Sequence, residues 1–590
     1  MVSRNPISTD NEKISNFRTL LIVIFALQIY CFMKKTFLLL LSAFFLSTIL
    51  NAQSTDFKTY VVHFSDKGVN MDATVNPSLY LADKAIERRI RQNIAFDQAD
   101  IPVNEEYVSS VVKTGARILT RSRWFNNVVI QASPTMMAEI SKNPVIAKIS
   151  MIDDGSYIGV TSKKPYFEPE KITPQVNSIP KKATNDIYNY GNAYNQINQI
   201  KGQFLHNNGF SGQGMTIAVL DAGFNSVDIM TCFDSLRANN QIKGTRDFAQ
   251  PGNNVYATTM HTHGTSVLSC MGAYVDGQMV GTAPKADYWL IRTEVGAYEK
   301  IIEEYFWVSG AEFADSIGAD LINSSLGYTE FDPPSTTNHT YADMDGNTTY
   351  ITQGADKAAE KGILVVNSAG NSGGDFDPWK YIGAPADGDS VFSIGAVDAN
   401  GYRAEFSSLG PTYDRRIKPT VSGQGQNSSI YSPGGLSIGS GTSFSSPIIC
   451  GMTACYWQAF PLLNNMEIIE AIKAASNQAS APDSLLGWGI PNYELAYTSL
   501  SVTDHYIKVN LTIYPNPVSD KLTIGFPTPI NGKYSLEILD MQGKIIFSLP
   551  GEVNSLRSLQ VNDISYLPAG IYLVKVSNGT FIFSGKILKK

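Results

Sequence analysis

The stretch Thr216-Ile217-Ala218-Val219-Leu220-Asp221-Ala222-Gly223 runs from an apolar segment into a carboxylate and a glycine. An apolar run without polar alternation indicates a strand covered on both faces, as in a parallel sheet. Similar short runs, separated by segments of helical pattern, lie at residues 288–291, 321–323, 363–366 and 391–394. Residues 188–502 therefore predict an α/β domain built on a parallel sheet.

The segments on either side of this domain show different sequence patterns. Residues 53–160 predict a small α+β unit close to the split β-α-β (ferredoxin-like) arrangement, with strands near 59–63, 117–120, 127–131 and 145–151. Residues 161–187 place four prolines among lysines and polar residues, which predicts an exposed linker and a region of processing. Short alternating strands separated by turns predict a small β-sandwich over residues 508–590.

The N-terminus has the pattern of a targeting segment. Met33-Lys34-Lys35, an apolar run to residue 50 and a small Ala52 predict a secretory signal peptide over residues 33–52. Its apolar run is too short for a membrane-spanning helix. We expect Met33 to be the start and residues 1–32 to be an upstream extension, the alternative being a longer leader whose first segment stays in the membrane.

Composition excludes several classes of protein. The 590 residues are 43% hydrophobic and 17% charged, which is typical of globular chains. The net charge is −7 and no basic stripe is present, so a nucleic-acid partner is not expected. The sequence contains neither C-x-x-C nor H-E-x-x-H, which argues against zinc ribbons, thioredoxin-like sites and zinc proteases. After signal cleavage four cysteines remain that either pair in an oxidising compartment or, as we favour, are small buried apolar residues: Cys232, Cys270, Cys450 and Cys455.

Four polar residues stand at the end of a predicted strand or the start of a predicted helix. They are Asp221, His263 before Gly264-Thr265, Asn371 after Gly370, and Ser443 at the start of an apolar helix reaching about residue 460. Each alone fits an ordinary turn, loop or helix cap. Together they supply a nucleophile, a base, an orienting carboxylate and an oxyanion donor, so we expect them in one cleft.

These residues stand in motifs that resemble those of the subtilisin-like serine peptidases, the subtilases. The motifs are Asp221-Ala222-Gly223, His263-Gly264-Thr265, Gly441-Thr-Ser443-Phe-Ser-Ser-Pro447, Gly281-Thr-Ala-Pro284, Ser325-Leu326-Gly327 and Ser368-Ala-Gly-Asn371. Ala222 departs from the family pattern, in which Thr or Ser is commoner, and it removes one hydroxyl beside the carboxylate.

The resemblance implies a role for each residue. Ser443 would attack the peptide carbonyl, His263 would take its proton and give it to the leaving amine, and Asp221 would orient the imidazole. Asn371 and the Ser443 backbone N–H would bind the oxyanion. Ser325, Leu326 and Gly327 would pair with the substrate backbone and form one wall of the first specificity pocket, beside Tyr328.

The resemblance implies no cofactor for the chemistry, while structural calcium would be typical of the family. Two acidic turns, Asp343-Met-Asp345 and Asp375-Phe-Asp377, are candidates for oxygen ligation, although we favour solvated turns and assign no metal ligand.

The flanks also resemble known companions of such enzymes. Residues 53–160 are similar in layout to a subtilase propeptide, an inhibitor and folding aid. The last segment resembles the C-terminal sorting domain of the type IX secretion system of Bacteroidetes. The matching stretches are Ile513-Tyr-Pro-Asn-Pro517, Leu539-Asp-Met-Gln-Gly543 and residues 567–574. That likeness implies the secretion machinery as a partner, with export through the periplasm and outer membrane to the medium or cell surface. The alternative is an adhesion or carbohydrate-binding sandwich.

The sequence leaves two alternative functions open. Gly435-Leu-Ser437-Ile-Gly439 fits the G-x-S-x-G esterase pattern, but that motif requires a strand before it and a helix after it. A subtilase fold that has lost activity and serves as a surface or binding protein is the non-enzyme alternative. We expect a secreted, monomeric serine endopeptidase that is made as a proenzyme and cleaved between about residues 155 and 187.

Overall fold

The computed structural model describes residues 57–68, 76–153, 172–175, 186–332, 338–374, 376–502, 509–577 and 582–590. The predicted signal peptide, its upstream extension and most of the linker lie outside these residues. Residues Lys58–Lys590 form one compact unit, and it is described below in three segments.

The N-terminal segment, residues 57–153, is a four-stranded antiparallel sheet with helices on it. Its elements are β1 (Lys58–Phe64), α1 (Asp83–Arg91), α2 (Glu105–Val112), β2 (Arg117–Ser122), β3 (Asn127–Ala132), α3 (Pro134–Ile140) and β4 (Ile146–Asp153). The strand order β2-β3-β1-β4 is that of the predicted ferredoxin-like arrangement. Helix caps agree with the sequence, because Asn104 and Ser133 accept hydrogen bonds from the first turns of α2 and α3.

The central segment, residues 186–502, is built on a seven-stranded parallel sheet. After the short β5 (Thr173–Pro174), its strands are β6 (Thr216–Asp221), β7 (Ile242–Asp247), β8 (Tyr274–Val275), β9 (Met279–Val280), β10 (Asp287–Arg292), β11 (Leu321–Ser324), β12 (Leu364–Ser368), β13 (Phe392–Val397), β14 (Val421–Gln424), β15 (Ser428–Ser432) and β16 (Gly435–Gly439). Its helices are α4 (Tyr194–Asn198), α5 (Gly202–Asn207), α6 (Asp234–Ala238), α7 (His263–Gly272), α8 (Ile302–Ser316), α9 (Tyr350–Glu360), α10 (Thr442–Ala459), α11 (Asn465–Ala474) and α12 (Tyr493–Val502).

The main sheet has the order β14-β13-β12-β11-β6-β10-β7, with every neighbouring pair parallel. The five apolar runs of the sequence are its five central strands, so the predicted parallel-sheet fold is confirmed. The edge strands β7 and β14 were not predicted. Three of the six residues of β7 face solvent, and β14 reads Val-Ser-Gly-Gln, so neither contains an apolar run.

The parallel arrangement brings the ends of several strands to one edge of the sheet. β6 ends at Asp221, β11 ends just before Ser325, and β12 ends at Ser368. Helix α10 packs against β11, β12, β13 and β14 and against α7, and its sixteen buried residues put it at the centre of the domain. The buried cysteines Cys232, Cys270, Cys450 and Cys455 are thiols packed in this core, as expected from their interpretation as apolar residues.

The C-terminal segment, residues 509–590, is β-rich, as predicted. Its strands are β17 (Val509–Asn510), β18 (Thr512–Tyr514), β19 (Leu522–Leu539), β20 (Ile545–Val561), β21 (Gly570–Ser577) and β22 (Ile582–Lys589). The long β19 pairs with β18 near its start, with β21 near its end and with β20 along its length. A core of its own, which includes Ile524, Leu536 and Val574, fills the space between the strands.

The N-terminal segment lies against helix α8 of the central domain. Glu312 of α8 accepts hydrogen bonds from the Ser122 hydroxyl at 2.5 Å and from the backbone N–H groups of Arg123 and Trp124 at 2.9 and 3.1 Å. One turn further on, Asp315 meets three arginines of the N-terminal segment. The contact is therefore charged and buried.

Part of the predicted linker also contacts the central domain. Thr173 and Pro174 add an antiparallel edge to β16, pairing with Ile438 and Ser437, and Gln175 N–H donates to the Leu436 carbonyl at 3.1 Å. Sequence reasoning gave no sign of this pairing. Among the described residues no helix is both long and apolar enough to cross a membrane.

Candidate active site

Asp221 and His263 form a hydrogen-bonded pair. His263 Nδ1 lies 2.9 Å from Asp221 Oδ1 and 3.0 Å from Oδ2, and the two residues are 3% and 0% exposed. A carboxylate accepts hydrogen bonds, so this contact favours the tautomer with the proton on Nδ1, which leaves Nε2 as the nitrogen that can accept a proton. The Ala222 N–H donates to Asp221 Oδ1 at 2.8 Å. The backbone thus supports the carboxylate where the Ala222 side chain offers no hydroxyl.

Two glycines allow the His263 helix to approach the end of β6 this closely. A Cβ at Gly264 would lie 2.5 Å from the Gly223 carbonyl oxygen and 2.9 Å from Asp221 Cβ. A Cβ at Gly223, whose φ is +153°, would lie 2.9 Å from the His261 nitrogen. Both distances are shorter than any comfortable contact, so the His-Gly and Asp-x-Gly patterns are requirements of packing.

Ser443 stands in the first turn of α10. The ring of the next residue, Phe444, lies 6.5 Å from the His263 ring between centroids. On the other side, the Ser325 hydroxyl donates to the Ser443 carbonyl at 3.0 Å. The serine is therefore held between the histidine segment and the Ser325 segment, at a helix N-terminus whose dipole favours developing negative charge.

Asn371 is exposed at the end of the β12 loop and its amide has a fixed orientation. Its Oδ1 accepts hydrogen bonds from the Thr442 backbone N–H at 2.8 Å and from the Thr442 hydroxyl at 2.9 Å. Because a backbone N–H can only donate, the atom that faces Thr442 must be the oxygen. The amide NH2 is then the end that remains available, next to the residue preceding Ser443.

The segment Ser325-Leu326-Gly327 continues β11 beyond the edge of the sheet. Asn367, from the neighbouring strand β12, donates its side-chain N–H to the Leu326 carbonyl at 3.0 Å. The next residue, Tyr328, donates its backbone N–H to the Ala384 carbonyl at 2.8 Å. The segment is thus fixed from both sides beside Ser443.

A buried carboxyl that we did not predict lies in the same place. Glu294 is 1% exposed and its Oε2 accepts a hydrogen bond from the Tyr328 hydroxyl at 3.0 Å. Burial, reinforced by the charge of Asp221, raises the pKa of Glu294 to about 8. The sequence did hold a signal for it, because Glu294 follows β10 almost as Asp221 ends β6, and strand ends are where α/β sites form.

Other candidate residues lie outside this arrangement. Ser437 is in the middle of β16, where its hydroxyl donates to the Gly435 carbonyl, so it does not sit on the strand-to-helix turn that an esterase requires. Asp343 and Asp345 accept hydrogen bonds within their own turns. Within the described ranges no group of three or more His, Cys, Asp or Glu side chains is arranged to hold a metal.

Comparisons with known proteins identify the family of the chain. Residues 212–489 match the model of the Subtilase family. Residues 59–164 match the Peptidase S8 propeptide domain of Bacteroidota, and residues 512–590 match the Secretion system C-terminal sorting domain. Subtilisin DY of Bacillus licheniformis is 30% identical over 303 residues, which cover 50% of this chain and 96% of that protein. The chain belongs to the subtilase family.

Two further proteins are similar to part of the chain. Subtilisin NAT of Bacillus subtilis subsp. natto is 28% identical over 372 residues, which cover 62% of this chain and 79% of that protein. A crystal structure of MycP1 with the N-terminal propeptide removed aligns with 51% of this chain and 96% of its own, at 22% identity and a TM-score of 0.40. On the family matches and the subtilisin relatives, the chain is a subtilisin-like serine endopeptidase with a propeptide and a secretion sorting domain.

Proposed function

We propose that this endopeptidase cleaves peptide bonds through a triad of Asp221, His263 and Ser443 and an acyl-enzyme intermediate. The observation that carries the proposal is the buried Asp221–His263 hydrogen bond beside the helix N-terminus that begins with Thr442 and Ser443. The topology also supports the proposal, because Asp221 ends β6, His263 begins α7, and Ser443 lies in the first turn of α10, which packs against α7.

Acylation follows from this geometry. Ser443 Oγ attacks the peptide carbonyl carbon while His263 Nε2 takes the hydroxyl proton. The carbonyl oxygen becomes an oxyanion, and Asp221 stabilises the imidazolium that forms. When the C–N bond breaks, the proton passes from Nε2 to the departing amine nitrogen and the acyl group remains on Ser443.

Deacylation repeats these steps with water as the nucleophile. His263 Nε2 takes a proton from the water that attacks the ester carbon, and it returns a proton to Ser443 Oγ as the acid leaves. In both halves we assign the oxyanion to the Asn371 NH2 and the Ser443 backbone N–H. The two hydrogen bonds to Asn371 Oδ1 support this assignment, since they pre-orient the donor before charge develops.

We assign the substrate backbone to Ser325, Leu326 and Gly327. The segment extends β11 as an ordered edge, and an extended peptide can add to such an edge by backbone hydrogen bonds. Its neighbours Asn367 and Ser443 hold it through the Leu326 carbonyl and the Ser325 hydroxyl. The same contacts keep the edge at a constant distance from the nucleophile.

The protein is made as a proenzyme in this proposal, with residues 53–160 as inhibitor and folding aid. Cleavage between about residues 155 and 187 releases activity. The hydrogen bonds of Glu312 to the N-terminal segment support the inhibitor role, since they hold that segment on the catalytic domain. N-terminal sequencing of the mature protein tests the cleavage, and fully active enzyme that begins before residue 58 would refute it.

We infer export through the periplasm and outer membrane from the sorting domain, ending in release or attachment at the cell surface. The chemistry needs no cofactor, and structural calcium is compatible with the family. Deletion of residues 508–590 should retain the protein inside the cell. Secretion of the truncated chain at the normal level would remove the basis of this inference.

The test of the proposed function compares wild type with Ser443→Ala on unfolded casein and in labelling by a fluorophosphonate. We expect hydrolysis and labelling both to disappear in the variant. Processed wild-type protein that cleaves none of many protein substrates would favour the inactive binding scaffold. Labelling that persists in Ser443→Ala, with Ser437→Ala as the matched control, would reopen the esterase interpretation.

A further inference from the structure

The hydrogen bond between Tyr328 and Glu294 spans the catalytic strand. In the sheet, β6 lies between β11 and β10. Tyr328 follows β11 and Glu294 follows β10, so their side chains meet across the end of β6, where Asp221 stands. One neighbour of the catalytic strand is thereby tied to the other at the level of the site.

The loop that carries Glu294 is in direct contact with the catalytic pair. Arg292 is in register with Asp221, and the Thr293 N–H donates to the Asp221 carbonyl at 3.0 Å. Two residues beyond Glu294, a Cβ at Gly296 would lie only 2.7 Å from the His261 ring, and His261 in turn accepts from the His263 N–H at 3.2 Å. Glu294 is therefore enclosed between the two sides of the site.

Hydrogen bonds to helix α8 also fix the loop that carries Glu294. Glu303, near the start of α8, accepts the Val295 N–H at 2.7 Å and the Lys300 N–H at 2.8 Å. Tyr328 is fully buried and its backbone is fixed to Ala384. Because both ends of the Tyr328–Glu294 hydrogen bond are fixed, the position of one segment sets the position of the other.

We propose that Glu294 is a positioning residue, which through the Tyr328 hydroxyl sets the substrate segment Ser325–Gly327 relative to the Asp221–His263 pair. The inference deepens the proposed function and rests on it. Glu294 need not touch the substrate, because the bond it accepts fixes the residue that directly follows the segment.

The charge of the Glu294 carboxyl also changes as the pH rises through about 8. Its Oε1 is buried, and no described residue donates a hydrogen bond to it, which favours the protonated form. The raised pKa of about 8 has the same consequence, so Glu294 is mostly protonated at neutral pH. Above that pH an ionised Glu294 adds a negative charge that stabilises the imidazolium of the transition state.

Several other titratable groups face this loop and must be separated from Glu294 experimentally. They lie on β6, α7, β10, the loop itself and the segment after β11: Asp221, His263, Arg292, Glu299, Glu303, Tyr328 and Asp332. Glu299 is the natural control. It is buried on the same loop and makes no hydrogen bond to Tyr328.

The experiment measures kcat and KM from pH 6 to 10 for wild type, Glu294→Gln, Tyr328→Phe and Glu299→Gln, with active sites counted by fluorophosphonate titration. We expect the ratio of wild-type to Glu294→Gln kcat to grow roughly threefold to tenfold from pH 7 to pH 9.5, because glutamine accepts the Tyr328 bond but cannot ionise. Tyr328→Phe should lower kcat/KM about tenfold, mainly through KM. Glu299→Gln should retain the alkaline rise.

A kcat/KM for Tyr328→Phe within about twofold of wild type, or an equal loss in Glu299→Gln, would overturn the positioning role. If Tyr328→Phe does not fold, Glu294→Ala decides: its KM should rise about tenfold, while Glu294→Gln, which still accepts the Tyr328 bond, stays near wild type at pH 7, and equal KM values for the three proteins would overturn the inference. Superimposed pH profiles for wild type and Glu294→Gln would refute the charge effect. Failure of the proposed function looks different: the wild type would neither hydrolyse casein nor take up the fluorophosphonate, and this inference would fall with it.

Discussion

Replacing Asp315 by asparagine should weaken the hold of the catalytic domain on its propeptide by orders of magnitude. Asp315 is fully buried on α8 and receives three propeptide arginines, with Arg88 at 2.5 Å, Arg89 at 2.8 Å and Arg123 at 2.6 Å. Asparagine keeps the size of the side chain but removes the charge. Arg88 and Arg89 are at most 1% exposed, so they would remain charged without their main counterion.

The magnitude follows from the cost of an unpaired buried charge. Removing one partner of a buried ion pair costs about 3–5 kcal/mol. At about 1.4 kcal/mol for each factor of ten, the inhibition constant of the propeptide should rise by about 10² to 10³ or slightly more. Lys84→Met in the propeptide is a matched control: its ion pair with Asp320 is also an interdomain contact, but the lysine side chain is 36% exposed. Asp320 is itself only 2% exposed, but it keeps Arg91 as a second partner at 3.3 Å, so the loss should be smaller than for Asp315→Asn.

The assay adds purified propeptide to processed enzyme, wild type or Asp315→Asn, and measures residual hydrolysis after active-site titration. Burial alone would raise the pKa of Asp315, but the three arginines outweigh it and lower the pKa. A depressed carboxyl pKa means that the stabilisation is complete above the ordinary value near 4 and is lost only as pH falls below it. Inhibition should therefore not vary between pH 5 and 8 on account of Asp315. An inhibition constant for Asp315→Asn within threefold of wild type would show that the reasoning is wrong.

Three further changes test the site and the fold. Asn371→Ala should lower kcat about 10²- to 10³-fold with little change in KM, the loss known for the oxyanion asparagine of subtilisin, and an unchanged kcat would refute its role. Gly264→Ala should lower kcat about 10²-fold, because its Cβ would separate His263 from Asp221, whereas Gly209→Ala, with open space at the Cβ position, should affect stability alone. Burial lowers the pKa of His206 to about 4. The folded state therefore loses about 3 kcal/mol of stability as the pH falls from 6.5 towards 4, because the unfolded chain takes up the proton first. Thermal melting of His206→Gln should show a flatter pH dependence over this range, and equal slopes for the variant and wild type would contradict the prediction.

The sequence predicted the parts of the fold that have a hydrophobic signature. The five central strands are apolar runs, and the ends of β6, β11 and β12 carry the motif residues, so topology alone places Asp221, Ser325 and Asn371 near one edge. β7 and β14 escaped prediction because an edge strand half-exposed to solvent, or one made of small polar residues, has no such signature.

The contacts between the propeptide and the catalytic domain could not be predicted from the sequence, for a different reason. Arg88 and Arg89 lie in a charged helical stretch in which nothing marks them as buried, yet both are buried against Asp315, more than two hundred residues away. Nothing local distinguishes an arginine that meets water from one that meets a distant carboxylate. The pairing of Thr173–Pro174 with β16 is of the same kind, because an edge strand of two residues has no periodicity to detect.

Helix α8 connects the two roles that we propose for the chain, inhibition by its propeptide and catalysis. Its second half carries Glu312 and Asp315, which hold the propeptide. Its first turn carries Glu303, which caps the loop containing Glu294, and that loop in turn contacts Asp221 through Thr293. A propeptide that binds the end of α8 therefore also stabilises the element on which the catalytic loop is fixed. Because α8 is a single uninterrupted helix of fifteen residues, docking at one end restricts the other, and this gives the folding-aid role a physical basis independent of any contact between propeptide and nucleophile.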